Sequence, residues 1–163
     1  MDAGIDVDRR AAVERDVRGL IYQGILLLDQ NDFSGWLDLC TPDFHYTIST
    51  YSPEIRREMT WLDHDREGMA SLTRLLPKHN SDQAPLTRHA NVYTVEYDEA
   101  TREARAVTSV LIFSTSLDGG VSDLYAVARY HDIVALAGPA PRLRSRVVRL
   151  DTRSLGIGKH WPL

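Results

Sequence analysis

The chain has a single cysteine, no long apolar run and no excess of positive charge. Cys40 is the only cysteine among the 163 residues, so no disulfide can form within the chain. This fits a reducing compartment. No run approaches the roughly 18 apolar residues of a membrane span, and the N-terminus lacks the basic-then-apolar pattern of a signal peptide. The net charge of −4 argues against non-specific binding to nucleic acid or to an anionic membrane. We therefore expect a cytoplasmic protein with neither of these partners.

The composition is that of an ordinary globular protein. Hydrophobic residues make up 43% of the chain and charged residues 26%. The length lies within the range of roughly 50–250 residues that is usual for one domain. No internal repeat, low-complexity segment or linker divides the sequence. We expect one domain spanning residues 1–163.

Three apolar runs in the last third predict the strands around which the chain is organised. They are Glu103–Leu117, Val121–Leu136 and Leu143–Leu150. Asp118-Gly119-Gly120 separates the first two and predicts a tight hairpin, because glycine adopts positive φ without strain. The Gly138-Pro139-Ala140-Pro141 turn separates the last two. The runs are longer than a usual strand of about 5–6 residues, so we expect a long, strongly curved antiparallel meander.

The rest of the chain predicts helices and two further strands. An apolar stripe through Val13, Val17 and Ile21 predicts a first helix from Asp6 or Asp8 to about Asp29. The other expected elements, in chain order, are a short helix from Asp32 that carries Cys40 and ends at Thr41-Pro42-Asp43, a strand Phe44–Ile48, a helix Asp65–Leu76, a polar loop Pro77–Pro85, a strand Arg88–Tyr97 and an irregular tail Ser154–Leu163. This order predicts an α+β cone, with about three helices on the concave face of the sheet.

Four ordered segments resemble the small, or beta, subunit family of aromatic-ring-hydroxylating dioxygenases, which has the NTF2-like, SnoaL-like fold. Trp61-Leu62-Asp63-His64-Asp65 is similar to the aromatic and acidic loop before that family's third helix. Arg88-His89-Ala90-Asn91-Val92 resembles the following strand, although Pro85-Leu86-Thr87 stand where a serine and an arginine are expected. Tyr125–Tyr130 and Arg146–Asp151 resemble the two closing strands. The likeness covers roughly the whole chain and extends to small subunits of methanesulfonate-type monooxygenases.

The resemblance implies a non-catalytic beta subunit with a structural and assembly role. Such subunits form a homotrimer that joins three large alpha subunits in an α3β3 hexamer. The Rieske [2Fe-2S] cluster and the mononuclear iron belong to the alpha subunit, so we expect no metal and no cofactor on this chain. The holoenzyme hydroxylates an aromatic or other small compound.

The residues agree with this expectation about iron. A Rieske cluster needs two cysteines and two histidines, and this chain has only Cys40. A mononuclear oxygenase iron needs two histidines and a carboxylate. None of the six histidines begins a His-x-Asp or His-x-Glu pair. A triad dispersed along the chain remains an alternative.

Several groups are candidates for contacts with other subunits. Trp61 and the loop Pro77–Pro85 combine a large aromatic with polar surroundings, as interface cores do. Arg88 and His89 predict either a surface salt bridge or a subunit contact. A basic stripe predicts either the solvent face of the last strand or a surface that meets acidic groups of a neighbour; its members are Arg142, Arg144, Arg146, Arg149 and Arg153.

A stand-alone NTF2-like isomerase or dehydratase is the alternative function. It would use His64 as a general base with Asp63 or Asp65, in an open apolar pocket. The simpler interpretation of these residues is a helix N-cap beside a surface histidine. An isomerase site built from Tyr22 or Tyr46 with Asp38 or Asp43 is also possible, although nothing in the spacing requires it. A binding dimer without chemistry is a third hypothesis.

Overall fold

The computed structural model describes residues 2–156 and 161–163, which form three helices and a six-stranded sheet. The helices are α1 (Asp2–Asp29), α2 (Phe33–Asp38) and α3 (Arg66–His79). The strands are β1 (Cys40–Ser52), β2 (Arg57–Asp65), β3 (Leu86–Asp98), β4 (Glu103–Thr115), β5 (Ser122–Ala135) and β6 (Arg142–Leu150). Within the described residues, no helix is long and apolar enough to cross a membrane.

The strands follow the order β2-β1-β6-β5-β4-β3 in one curved, unclosed sheet. Strands β3 to β6 form the antiparallel meander that the sequence predicts, and only the β1–β6 pair is parallel. Gly119 and Gly120 have φ angles of 76° and 65°, as the predicted tight turn requires. The α+β prediction is therefore confirmed.

The helices cover the concave face of the sheet and enclose one core. Alternate residues of β4 and β5 point into this core, because successive side chains of a strand face opposite sides. Helix α1 supplies its predicted apolar stripe, including the buried Val17 and Ile21. The largest fully buried side chains of the described residues include Trp36, Tyr46, Tyr130, Phe44, Met69 and Leu163.

The second helix is shorter than the sequence predicts. It begins after Asp32, whose side chain accepts a hydrogen bond of 2.9 Å from the Gly35 amide, and it ends at Asp38. Cys40 was expected in this helix but begins the 13-residue strand β1. Pro42 lies inside that strand, at a shift in the register between β1 and β6. The strand tolerates the proline because an irregularity of this kind leaves a position that needs no ladder donor.

The segment Trp61–Asp65, which the resemblance implies to be a loop, is part of a strand. It belongs to β2, an edge strand that pairs antiparallel with β1 from His45↔Asp65 to Ser52↔Arg57. Helix α3 then runs to His79 rather than Leu76. Pro77 lies in its last turn, and the Asn80 amide closes the helix with a 3.0 Å hydrogen bond to the Leu76 carbonyl.

The arginine stripe of β6 does not lie on one face. Ser145 pairs with Ile133 and Leu143 pairs with Val134, so Arg144 is an extra residue without a partner on β5. This bulge reverses the alternation. Arg144 and Arg149 therefore point to solvent, whereas Arg146 points into the core.

Candidate functional site

The interior of the cone holds a buried ion pair between neighbouring strands. Arg146 Nε and Nη2 each donate a 2.8 Å hydrogen bond to one oxygen of Asp132. The two side chains are 1% and 0% exposed. The guanidinium carbon lies 4.0 Å from the centre of the Tyr130 ring, a cation–π geometry.

The surroundings keep this arginine charged. Burial acts to lower the pKa of Arg146, but the attraction and hydrogen bonds of Asp132 outweigh it, so the pKa rises above its ordinary value. Both carboxylate oxygens of Asp132 are engaged. The pair therefore offers neither an accessible base nor an acid that can release a proton near neutral pH.

The other ionisable groups of the interior are equally unsuited to proton transfer. Burial raises the pKa of the Cys40 thiol to about 12. Burial likewise raises the pKa of the Tyr46 and Tyr130 hydroxyls well above the usual range. A thiol must ionise to act as a nucleophile, so Cys40 is expected to be inert.

The described C-terminal residues fill the space between these groups. The Leu163 amide donates a 2.9 Å hydrogen bond to the Tyr46 hydroxyl, which donates one of 3.1 Å to the Leu163 carbonyl. Trp161 stacks on Phe33 with ring centres 5.7 Å apart. The cavity left beside Trp36 and Arg146 measures only about 10 Å³, about the least that one water molecule needs. A cavity of about 150 Å³ lies nearer the rim, between Trp61 and Tyr125.

Arg88 anchors three parts of the chain. Its Nη1 donates a 2.7 Å hydrogen bond to Asp29 at the end of α1, and its Nη2 donates to the Pro162 carbonyl. The Arg88 amide also donates to both oxygens of Asp29 at 3.2 Å. The side chain is 1% exposed. Arg88 therefore ties β3 to α1 and to the C-terminal residues, and it does not reach the surface of the isolated chain.

The proposed general base of the alternative function is not assembled with its carboxylates. Asp65 caps α3 by accepting a 2.7 Å hydrogen bond from the Gly68 amide, as the simpler interpretation expects. Asp63 contacts His45 instead. His64 lies on the opposite face of β2 from these carboxylates, against the first turn of α3 at Gly68. Among the described residues, no hydrogen bond joins His64 to either acid.

The tyrosine and aspartate alternatives are also separated. Tyr22 accepts a 3.2 Å hydrogen bond from the Val92 amide, and Tyr46 is engaged by Leu163. Asp43 is exposed and pairs with Arg144 at 3.2 Å. Asp38 lies 3.8 Å from Arg66. The apolar cavity between Trp61 and Tyr125, at about 150 Å³, is smaller than the roughly 300–1,000 Å³ of a usual ligand pocket, and the isomerase hypothesis is not favoured.

The histidines do not converge on an iron site. His45 and His131 lie on β1 and β5, which are separated by β6, and His89 lies on β3. His64 faces the concave side. The His79 side chain and His160 lie outside the described part. Within it, no group of three or more histidine, cysteine, aspartate or glutamate side chains is arranged to hold a metal. The residues that the structure describes do not fit a Rieske cluster or a mononuclear iron.

Four of the six predicted contact residues lie at the surface. Trp61 is 46% exposed on β2. His89 is exposed and meets the edge of Phe113, with ring centres 5.4 Å apart. Arg144 pairs with Asp43 and Glu103, and Arg149 pairs with Glu58 at 3.1 Å. The other two, Arg88 and Arg146, are buried, because each has a carboxylate partner inside the chain.

Sequence reasoning missed the partners of these two arginines. Asp29 was read only as the end of the first helix. Asp132 stands in an apolar strand between Tyr130 and Val134, at a position whose side chain faces the core. A charge at such a position was a usable signal, since a buried charge is nearly always paired.

Known proteins share both the sequence and the fold. The family model of the ring-hydroxylating beta subunit matches residues 24–156. The beta subunit of methanesulfonate monooxygenase hydroxylase from Methylosulfonomonas methylovora is 37% identical, covering 100% of this chain and 94% of its own. The beta subunit of 2-aminobenzenesulfonate 2,3-dioxygenase from Alcaligenes sp is 36% identical, covering 88% and 94%.

A solved structure has the same NTF2-like fold. It is the beta subunit of a candidate aromatic-ring-hydroxylating dioxygenase from Novosphingobium aromaticivorans, with a TM-score of 0.74 and 20% identity over 89% of this chain and 93% of its own. The predicted cone is thereby confirmed. Because the family model matches most of the chain and both relatives match nearly their full length, this chain belongs to the family of ring-hydroxylating oxygenase beta subunits.

Proposed function

We propose that this chain is the structural subunit of a Rieske-type oxygenase, which it assembles as a β3 base beneath three alpha subunits. The observation that carries the proposal is the filled cone. Trp161–Leu163, Tyr46 and the Arg146–Asp132 pair occupy most of the interior where a catalytic member of the fold would need a pocket, and they leave an apolar cavity of about 150 Å³ beside Trp61. A subunit whose core is closed in this way contributes through its surface, and the iron chemistry belongs to the alpha subunit.

The exposed candidates are the proposed contact residues. Trp61 offers a large apolar side chain at an edge strand, and the polar loop 80–85, which follows α3, is the second proposed contact segment. His89, Arg144 and Arg149 lie on the outer face of the sheet, which no described helix covers. Arg88 and Arg146 act indirectly, by holding the framework that presents these groups.

The native mass of the purified chain tests the proposal. Light scattering should find a trimer for the chain alone and an α3β3 hexamer after mixing with the Rieske protein encoded beside it. Metal analysis should find iron in the hexamer but no stoichiometric iron in the isolated chain. A chain that ignores the Rieske protein, or that holds iron tightly by itself, contradicts the proposal.

A histidine variant separates the two functions. In the reconstituted complex, His64→Ala should leave turnover close to that of the wild type, because His64 packs against α3 and contacts neither Asp63 nor Asp65. His45→Ala, which removes an exposed histidine from the same pair of strands, is the matched control. Loss of turnover in the first variant alone, at unchanged assembly, would restore a catalytic role for His64.

A further inference from the structure

Two hairpin ends carry many of the exposed apolar side chains of the sheet. The turn between β1 and β2 presents Tyr51, Ile55 and Met59, which are 53%, 59% and 41% exposed. The turn between β4 and β5 presents Leu117, Val121 and Leu124, which are 75%, 59% and 54% exposed. Clustered apolar exposure of this kind marks an interaction surface, whereas scattered single residues do not.

The β1–β2 hairpin end has uncompensated positive charge. Its two glutamates already form ion pairs within the chain, since Glu54 pairs with Arg153 and Glu58 pairs with Arg149. Arg56 and Arg57 are exposed and make no ion pair with any described residue. We call Tyr51, Ile55, Arg56, Arg57 and Met59 the basic hairpin.

The β4–β5 hairpin end has the opposite charge. It forms one wall of an open notch of about 510 Å³, whose other wall is the loop 81–84. Asp82, Asp118 and Asp123 line this notch with Leu117 and Val121, and no described lysine or arginine does. Asp118 and Asp123 have no cationic partner among the described residues. We call these five residues the hairpin notch.

The strand directions place both surfaces at the same end of the sheet. Strand β6 is parallel to β1, with Thr50 opposite Leu150, and antiparallel to β5, with Ala128 opposite Leu150. The end of β1 and the start of β5 are therefore neighbours of the end of β6. The basic hairpin and the hairpin notch of one chain therefore lie at the same end of the sheet, on either side of the end of β6.

We propose that the basic hairpin of one copy of this chain docks into the hairpin notch of the next copy. This inference rests on the proposed function and specifies how its β3 base is held together. The two surfaces carry opposite charges, and both expose apolar side chains. They are formed by different parts of the chain. A contact between two different surfaces is head-to-tail, and it closes a ring of three when each copy is rotated by about 120° from the last, as in a trimer. The ionic part also selects the register of the contact.

Charge reversal tests the contact. Asp118→Lys with Asp123→Lys reverses the notch, and Arg56→Glu with Arg57→Glu reverses the basic hairpin. Each pair should weaken self-association at least about tenfold in sedimentation equilibrium, because like charges then face each other. The fourfold variant, with both surfaces reversed, should recover association, because opposite charges again meet. Arg15→Glu with Asp16→Lys on α1 is the matched control and should associate as the wild type does.

The outcomes separate this contact from the proposed function. Circular dichroism checks that every variant is folded, and co-purification with the Rieske protein reports the alpha contact independently. A chain that remains monomeric at every concentration overturns the docking proposal, even where it binds the Rieske protein. So does a fourfold variant that associates no better than the two single-surface variants. Recovery of self-association in the fourfold variant supports the docking directly. If the substitutions only damaged the fold, the fourfold variant would associate more weakly than either single-surface variant.

Discussion

Replacing Arg146 by methionine should be among the most destabilising changes in this chain. The substitution leaves Asp132 fully buried without its two 2.8 Å hydrogen bonds. Removing one partner of a buried ion pair costs about 3–5 kcal/mol, because the other charge stays uncompensated. The total free energy of unfolding of a domain is only about 5–15 kcal/mol. Asp132→Leu should cost a comparable amount, since it leaves the guanidinium charge buried and unpaired. Urea unfolding followed by circular dichroism measures both losses.

Two further variants decide whether the pair is the cause. Arg146→Met with Asp132→Leu removes both charges and should recover much of the loss, because apolar residues often replace a buried pair at little cost. Arg129→Met removes an exposed arginine that lies 3.4 Å from Asp151, and it should cost less than about 1 kcal/mol. The reasoning is refuted if Arg146→Met and Arg129→Met cost the same, or if the losses at Arg146 and Asp132 simply add.

The pair also predicts how stability responds to pH. The folded-state pKa of Arg146 is raised above its ordinary value. A group with a raised pKa contributes stability that is complete below its unfolded pKa and is lost only as the pH rises through the folded pKa. For an arginine this window lies at strongly alkaline pH. The difference in unfolding free energy between the wild type and Arg146→Met with Asp132→Leu, a variant that leaves no unpaired carboxyl in the core, should therefore stay constant between about pH 6 and pH 9. A steady decline of this free-energy difference between about pH 6 and pH 9 would show that another group titrates together with the ion pair.

Three other changes test the interior and the surface. Tyr46→Phe removes both hydrogen bonds to Leu163 and should cost about 1–3 kcal/mol in urea unfolding, because the Leu163 amide is left buried and unpaired. The Cys40 thiol, whose pKa burial raises to about 12, should resist iodoacetamide at about pH 8 in the native protein and react fully in urea; rapid native labelling would contradict its burial. Trp61→Ala should weaken assembly while the circular dichroism spectrum stays unchanged, and a hexamer of unchanged affinity would exclude Trp61 from the interfaces.

The predicted parts of the fold are those that local sequence determines. The meander follows from apolar runs and from turns such as Asp118-Gly119-Gly120, where backbone conformation and sequence agree. Strand β2 escaped prediction because it is an edge strand. From Arg57 to Trp61 all its side chains are exposed, so the alternation that reveals a half-buried strand is missing. The strand forms by pairing with β1, and no local sequence pattern indicates this pairing.

The buried face of β6 was hidden by a single bulge. Arg144 and Arg146 are two residues apart, and a regular strand would place both side chains on the same face. The extra residue at Arg144 separates them, and a bulge of this kind has no sequence signature here. The exposure of Arg144 and the burial of Arg146 therefore depend on tertiary structure, namely on the position of Asp132 on the neighbouring strand.

One half of the ion pair was nevertheless visible in the sequence. The turn that joins β5 to β6 spans residues 136–141, so equal counting from its middle would place Asp132 opposite Ser145, and the bulge at Arg144 moves the partner to Arg146. Residues equally far from the middle of a hairpin turn face each other in an antiparallel pair. Asp132 also interrupts the apolar alternation of Tyr130 and Val134 on the core side. A core-facing charge of this kind predicts a buried partner of opposite charge, but the bulge decides that the partner is Arg146. The same construction fails for Arg88, whose partner Asp29 lies on a helix 59 residues away, where no register connects them.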